Sequence, residues 1–318
     1  MKTLLPKALR AGDTIGLISP SSHCAYPDKI NQAVRYLEAH GYRVKASRYL
    51  NCIDTDPAIA DRQKLHDIHA MFSDPAVHAI VCLRGGAGAT RLLGQLDYGL
   101  IAANPKIVVG YSDITALSLA MLAKVGLITF SGPMLATELY EPDPYTEEHF
   151  WGMLTSPAYS RSLINYEHHP ITCLQSGTVE GRLLGGNLSV VTSLLGTPYF
   201  PHIEGEALLF FEDVNEPVYR IDRMLSHVGN AGLLTQAKGL LFGYFSTGTP
   251  LPVAEEQRLQ YSMEYYSAML PPDAVAIRGL SFGHIRHMMT MPVGARCKLH
   301  VAADGLFSFG TLEAVVRA

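Results

Sequence analysis

Residues 106–126 read KIVVGYSDITALSLAMLAKVG, and their interpretation decides the fold. Lys106 to Val109 is a short β-branched run bounded by Pro105 and Gly110, the signature of a buried strand. From Ile114 onward the apolar residues Ile114, Leu117, Ala120, Met121 and Val125 recur at helical spacing. Ser112 therefore sits where the carboxyl end of a strand meets the start of a helix. That is the geometry of a nucleophile elbow: a sharp turn exposes the hydroxyl, and the unpaired N–H groups of the helix start face developing negative charge. The same Gly-Tyr-Ser-Asp also reads as a loop with a capping Ser or Asp, and Ile114 stands where GxSxG has its second glycine.

Working outward, the first half alternates strands and helices. Thr14–Ser19 reads as a strand, residues 28–40 as a helix, Tyr42–Tyr49 as a strand and Ile59–Phe72 as a helix. His66 and His69 share a face of the last, without the third ligand of an HExxH-type site, so they read as solvated surface. The strand Val77–Leu83 runs into Arg84-Gly85-Gly86-Ala87-Gly88-Ala89-Thr90, a turn whose backbone can approach a ligand closely. It matches neither GxGxxG nor GxxxxGK[ST], which favours an oxyanion hole over a nucleotide cradle. Leu127–Phe130 is a further strand, and Trp151 in a short helix reads as a packing residue. The alternation implies a mainly parallel sheet covered on both faces.

Residues 155–176 lose periodicity, which places a linker over residues 161–176, between a domain at 1–160 and a second at 177–318. There Gly177–Leu184 reads as a strand ending in the turn Gly185-Gly186-Asn187, with Asn187 a helix cap or a carboxylate-binding turn. Ala207–Phe211 is a strand expected to end before Glu212-Asp213, ahead of a helix from Val218. Strands follow at 237–245 and 274–280, the latter leading to Ser281-Phe282-Gly283-His284, with a helix at 255–269 between them. Residues 298–309 read as a hairpin turning at Asp304-Gly305. Strand ends along the chain thus carry polar or glycine-rich turns. Three of them offer Ser112, Glu212 and His284, an order a Ser-His-acid triad permits.

Composition bounds the possibilities. A chain of 318 residues with 48% hydrophobic and 17% charged residues has the make-up of a folded protein of about two domains. A net charge of -4 without a basic run gives no footprint for nucleic acid, and no stretch approaches the ~20 apolar residues that span a bilayer. Pro6 and Lys7 interrupt any signal-peptide core, so the expected compartment is cytoplasmic, or periplasmic if a leader has been trimmed. Cys24, Cys52, Cys82, Cys173 and Cys297 are odd in number and lack CxxC spacing, which argues against structural disulfides or a zinc knuckle.

The segments LRGGAGATRLL, VVGYSDITAL, TFSGPM, GGNLSVVTSLLGTP, FFEDVNEPVYRIDRML and FGHIRHMMTMPVGA, spread over nearly the whole chain, resemble the serine LD-carboxypeptidase family of peptidoglycan recycling. The resemblance implies an α/β protein: a flavodoxin-like amino-terminal domain with a mainly parallel sheet, and a smaller carboxy-terminal β/α domain. By motif it puts the nucleophile on Ser112, the acid on Glu212 and the base on His284. The oxyanion hole falls on backbone N–H groups of Asp113 and of Gly85 or Gly86. It further implies a homodimer, and hydrolysis between an L-configured centre of diaminopimelate or lysine and terminal D-alanine in murein tetrapeptides or muropeptides, without metal or cofactor. The family also contains microcin-immunity peptidases acting on a peptidyl nucleotide; the EEHFW context of Trp151 looks like the muropeptide branch. Arg84, Asn187, Arg220 and His287 are candidate substrate contacts, with a structural ion pair the competing role for the arginines and a surface loop position for His287. The competing class is a binding module that closes on a small anion without chemistry. It would have no need of Ser112, Glu212 and His284 together.

Overall fold

A computed structural model describes residues 3–203 and 206–318. The first half contains β1 (Thr14–Ile18), α1 (Pro27–Ala39), β2 (Arg43–Ala46), α2 (Pro57–Ser73), β3 (Val77–Cys82), α3 (Ala89–Leu92), α4 (Tyr98–Ala103), β4 (Ile107–Val109), α5 (Thr115–Val125), β5 (Thr129–Ser131) and α6 (Pro144–Thr155). There follow β6 (Thr172–Gln175), β7 (Gly177–Asn187), α7 (Leu188–Leu194), β8 (Ala207–Val214), α8 (Val218–Asn230), α9 (Leu233–Gln236), β9 (Ala237–Ser246) and α10 (Val253–Ser267). The chain ends with β10 (Val275–Arg278), β11 (Met291–Val293), β12 (Arg296–Val301) and β13 (Phe307–Thr311).

Two sheets result. The first has the order β11-β5-β4-β3-β1-β2, parallel throughout except for β11 against β5. Its five parallel strands are therefore ordered 2-1-3-4-5, the flavodoxin-like winding, whose switch point lies between β1 and β3. Ligands bind in this architecture at the carboxyl ends of strands near that switch. The loops of the first half carrying Ser21, Gly85 and Ser112 leave those ends. The second sheet, β13-β12-β7-β8-β9-β10-β6, has a parallel centre of β7 to β10 flanked by antiparallel strands.

The central strands are buried apart from His78 in β3, and so is most of α5, which explains why β1, β3 and β4 read as mainly apolar runs. Helix ends follow local chemistry. Asp56 and Asp143 accept first-turn N–H groups ahead of proline at the start of α2 and α6, and Gly126 closes α5 at φ 74°.

Several sequence expectations are corrected here. Glu212 and Asp213 lie inside β8 rather than beyond it, because buried partners compensate both carboxylates and the strand continues. Gly185, Gly186 and Asn187 are the end of β7, not a turn. A Cβ at Gly185 would meet the Phe210 carbonyl oxygen at 1.9 Å, and one at Gly186 the Thr115 hydroxyl at 2.6 Å. Glycine there lets β7 pass against β8 and the start of α5. Residues Thr172–Gln175, within the stretch read as linker, form a strand paired with β10.

Candidate active site

Ser112 follows β4 in a short helical turn, Ser112–Ile114, that leads into α5. Its φ is 62°. Among the described residues three non-glycines have positive φ, and the other two, Asn51 and Asn215, are of the type that tolerates it. Serine gains nothing locally from this conformation, so its surroundings impose it. The RGG turn after β3 lies directly against it: a Cβ on Gly85 would come 2.7 Å from Ser112 Cβ and 2.8 Å from Oγ. The Gly85 and Gly86 amides donate to no acceptor among the described residues, and Gly86 has φ 129°. These free N–H groups beside the Ser112 hydroxyl suit an oxyanion.

Asp113 fastens the loops together. Its Oδ2 accepts from Ser21 Oγ at 2.5 Å and from the Ala89 amide at 2.9 Å, so the ends of β1, β3 and β4 are held by one buried carboxylate. Ser22 adds a bond from the Ala87 amide at 3.2 Å. Sequence reasoning missed both serines, although Pro20-Ser21-Ser22 ends the first strand. We expect Gly85→Ala to lower kcat/KM by roughly 10²-fold, since displacing a reacting group by a fraction of an ångström suffices. A lower melting temperature would accompany it, because the added methyl overpacks Ser112; unchanged kinetics would show the contact to be irrelevant to activity.

The second sheet supplies the partners. Parallel pairing sets Glu212 opposite Asn187, and the β8–β9 register shifts between Phe211 and Asp213. Such an irregularity re-aims a side chain. Glu212, 3% exposed, accepts from His284 Nδ1 through Oε2 at 2.7 Å. Among the described residues its Oε1 is buried without a partner, so the imidazole is the carboxylate's only side-chain partner there. Close approach requires glycine at 283: φ is 115°, and a Cβ would crowd Glu212 Cβ at 2.9 Å and Oε2 at 3.1 Å. The His284 carbonyl accepts from Ser246 Oγ at 3.0 Å.

The two halves of the site meet through Tyr111. Its ring stands edge-on to the His284 ring at 4.8 Å, placing the residue before Ser112 against the imidazole. Ser112 and His284 themselves are not hydrogen-bonded, a common state of such pairs without substrate. Tyr111 donates to Glu138 Oε1 at 2.8 Å, and Glu138 Oε2 accepts from the Met134 amide and Thr137 Oγ1. Burial raises the Glu138 carboxyl above its ordinary range; burial and then the Glu138 charge raise the Tyr111 phenol further still. Sequence gave no sign of Glu138, which only the fold brings here. A cleft of about 400 Å³ opens on this group, lined by Tyr111, Glu138, Tyr140, Asp143, His284 and Arg286 among others.

His284 experiences opposing influences. Burial favours the neutral ring, but the Glu212 bond and charge, joined by Glu138 and Asp213, prevail and lift its pKa above 6.5. For a base, which works when neutral, the acid limb of kcat/KM is expected above pH 6.5 if His284 has the role proposed below. Protonated His284 stabilises the fold fully below pH 6.5, and this contribution fades as pH rises through the raised value. In Glu212→Gln the limb should move down, because burial then acts against fewer opposing charges. A limb that stays put would assign the titration to another group.

The remaining candidates separate clearly. Asn187 caps α7, accepting from the Val190 amide, and donates to Asp213 Oδ1 at 2.9 Å. Arg220 pairs on the exposed face of α8 with Glu216 at 3.3 Å. His287 bonds Asp143 at 3.0 Å and stacks on Tyr166 at 3.9 Å, so it ties the loop after His284 to the start of α6. Arg84 bonds only the carbonyls of Gly85 and His23 and has no acidic partner among the described residues. Trp151 stacks on Tyr42 and donates to Tyr36, packing α6 within the first half. His69 accepts the Asp97 amide, joining α2 to α4. No group of three or more metal-ligating side chains occurs among the described residues, nor does a helix long and apolar enough to cross a membrane.

An elbow serine, free amides beside it and a hydrogen-bonded His–Glu pair at a cleft are the parts of an acyl-transfer hydrolase. Residues 15–132 match the LD-carboxypeptidase N-terminal domain and residues 180–299 the LD-carboxypeptidase C-terminal domain; the chain belongs to this family and is a hydrolase. A probable murein peptide carboxypeptidase of Bacillus subtilis is 38% identical over 299 residues, covering 93% of this chain and 92% of that protein. Among solved structures, an MccF-like protein from Bacillus anthracis superimposes with a TM-score of 0.87 at 28% identity, covering 98% of this chain and all of the other. The muramoyltetrapeptide carboxypeptidase of Oxalobacter formigenes gives 0.79 at 29% identity, covering 94% and 98%.

Proposed function

We propose that the protein is a serine LD-carboxypeptidase that removes terminal D-alanine from murein tetrapeptides, cleaving its amide bond to the L-centre of diaminopimelate or lysine. The observation that carries this is the 2.7 Å His284–Glu212 bond, whose imidazole meets the ring of the residue preceding the strained Ser112. The 38% identity to the Bacillus subtilis relative supports the substrate class.

In this reading His284 takes the Ser112 proton as Oγ bonds the scissile carbonyl carbon. The amides of Asp113 and of Gly85 or Gly86 hold the oxyanion, each donor worth about 3 to 4 kcal/mol in comparable sites. The proton passes from His284 to the D-alanine nitrogen, the C–N bond breaks, and an acyl-serine remains. Water, deprotonated by His284, releases the tripeptide. Glu212 holds the ring with Nδ1 protonated and stabilises the imidazolium. Arg84, lacking an acidic partner beside the glycine turn, is suited to receive the terminal carboxylate.

Incubation of the protein with a tetrapeptide ending in D-alanine should release one D-alanine by mass spectrometry. If the tetrapeptide survives and a peptidyl nucleotide is cut, the microcin-immunity reading replaces this one. Survival of both leaves a binding module.

A further inference from the structure

A second cleft is larger than the one that holds His284. A cavity of about 620 Å³ opens in the second half between the end of β9, the loop after it and α10. Its size is that of small-molecule sites, and it stands at the carboxyl ends of the parallel strands β9 and β10, where such sites form.

Its walls are Phe245, Leu251, Leu259 and Met263, and among them stands Arg278, the last residue of β10. The Arg278 Nε is buried and has no hydrogen-bond partner, and no carboxylate pairs with this guanidinium among the described residues. A desolvated donor without a partner is costly, and a planar guanidinium matches a carboxylate through two parallel bonds. The cavity therefore contains an unanswered positive group over an apolar floor. Glu256, exposed and without an ion-pair partner among the described residues, is its acidic lining residue. It repels polyanions and offers a partner for an ammonium. The wall Gly243–Ser246 also touches the loop of the proposed base, since Tyr244 donates its amide to the Phe282 carbonyl and Ser246 bonds the His284 carbonyl.

We propose that this cleft is a second recognition site for the ammonium–carboxylate head of an amino acid borne on an apolar stem. The carboxylate meets Arg278, the ammonium faces Glu256 and the stem covers Leu259 and Met263. The same head group can come from the distal end of a diamino acid within the peptide substrate or from a free amino acid. Only the first source rests on the peptidase reading given above.

The test begins with binding. Calorimetric titration of the full-length Ser112→Ala protein with meso-diaminopimelate and with norleucine should show saturable binding of at least one. Adding Arg278→Gln should weaken it at least tenfold. So should Gln260→Glu, which keeps the arginine but lines the same cleft with a carboxylate, and which serves if Arg278→Gln fails to fold. No binding by Ser112→Ala, or binding unchanged in both double variants, overturns the proposal whatever the enzyme's reaction proves to be. Steady-state kinetics of Arg278→Gln then separate the sources. A KM raised at least fivefold for a tetrapeptide with diaminopimelate, but not with lysine, at its third position assigns the site to the substrate. Unchanged KM for both, with the titration lost, assigns it to a free amino acid.

Discussion

Ser112→Ala is expected to lower turnover by roughly 10⁴- to 10⁶-fold while leaving substrate affinity within a few-fold, because loss of a nucleophile removes the covalent route and little ground-state binding. Single-turnover kinetics with a D-alanine-terminated tetrapeptide measure the first quantity and calorimetry the second. The backbone at this position adds a control. Since φ is 62°, alanine inherits the conformational cost of about 1 kcal/mol, whereas glycine does not. Ser112→Gly should thus be as inactive as Ser112→Ala yet melt no lower. Turnover within a hundredfold of wild type by a homogeneous Ser112→Ala sample would remove Ser112 from the mechanism.

Glu212→Gln carries the second large effect: a fall in kcat of roughly 10⁴-fold with KM nearly unchanged, as expected when the group that fixes the imidazole tautomer becomes an amide. The substitution is close to isosteric, and the Glu212 Oε1 already lacks a partner, so folding should survive. The neighbouring carboxylate is not a substitute, because Asp213 is held by Asn187 and by the Ser189 amide. A rate within tenfold of wild type would mean that His284 needs no anion for orientation. The acid limb of the pH profile, measured on the same variant, reports the electrostatic share separately from the geometric one.

Much of this candidate site is legible in the sequence. Ser112, the RGG turn and His284 all stand at strand ends, and strand ends announce themselves where apolar runs give way to glycine or polar residues. Glu212 was read one step wrongly for a physical reason: an apolar-run criterion stops at the first charge, while β8 continues through two carboxylates that find partners in the fold. The glycines at 185 and 186 read as a turn because glycine usually marks one, yet here they mark close passage of β7 past Phe210 and Thr115. Tyr111 was in view within the GYSD motif, but nothing local connects it to Glu138, which lies twenty-seven positions on. The short β11 escaped notice because three residues centred on Pro292 carry no period.

That strand has a consequence for how the protein is made. Met291, Pro292 and Val293 pair with Ser131, Phe130 and Thr129, so the last strand of the first sheet comes from near the end of the chain. During synthesis the β5 edge therefore stays open while the whole intervening segment is translated, with its unpaired amides and carbonyls available to any passing strand. The nascent chain can complete its first sheet only after the second has largely emerged from the ribosome. Polypeptides cut short before residue 291 would carry that exposed edge permanently and be prone to aggregate, and so nascent-chain quality control would bear on this protein's yield.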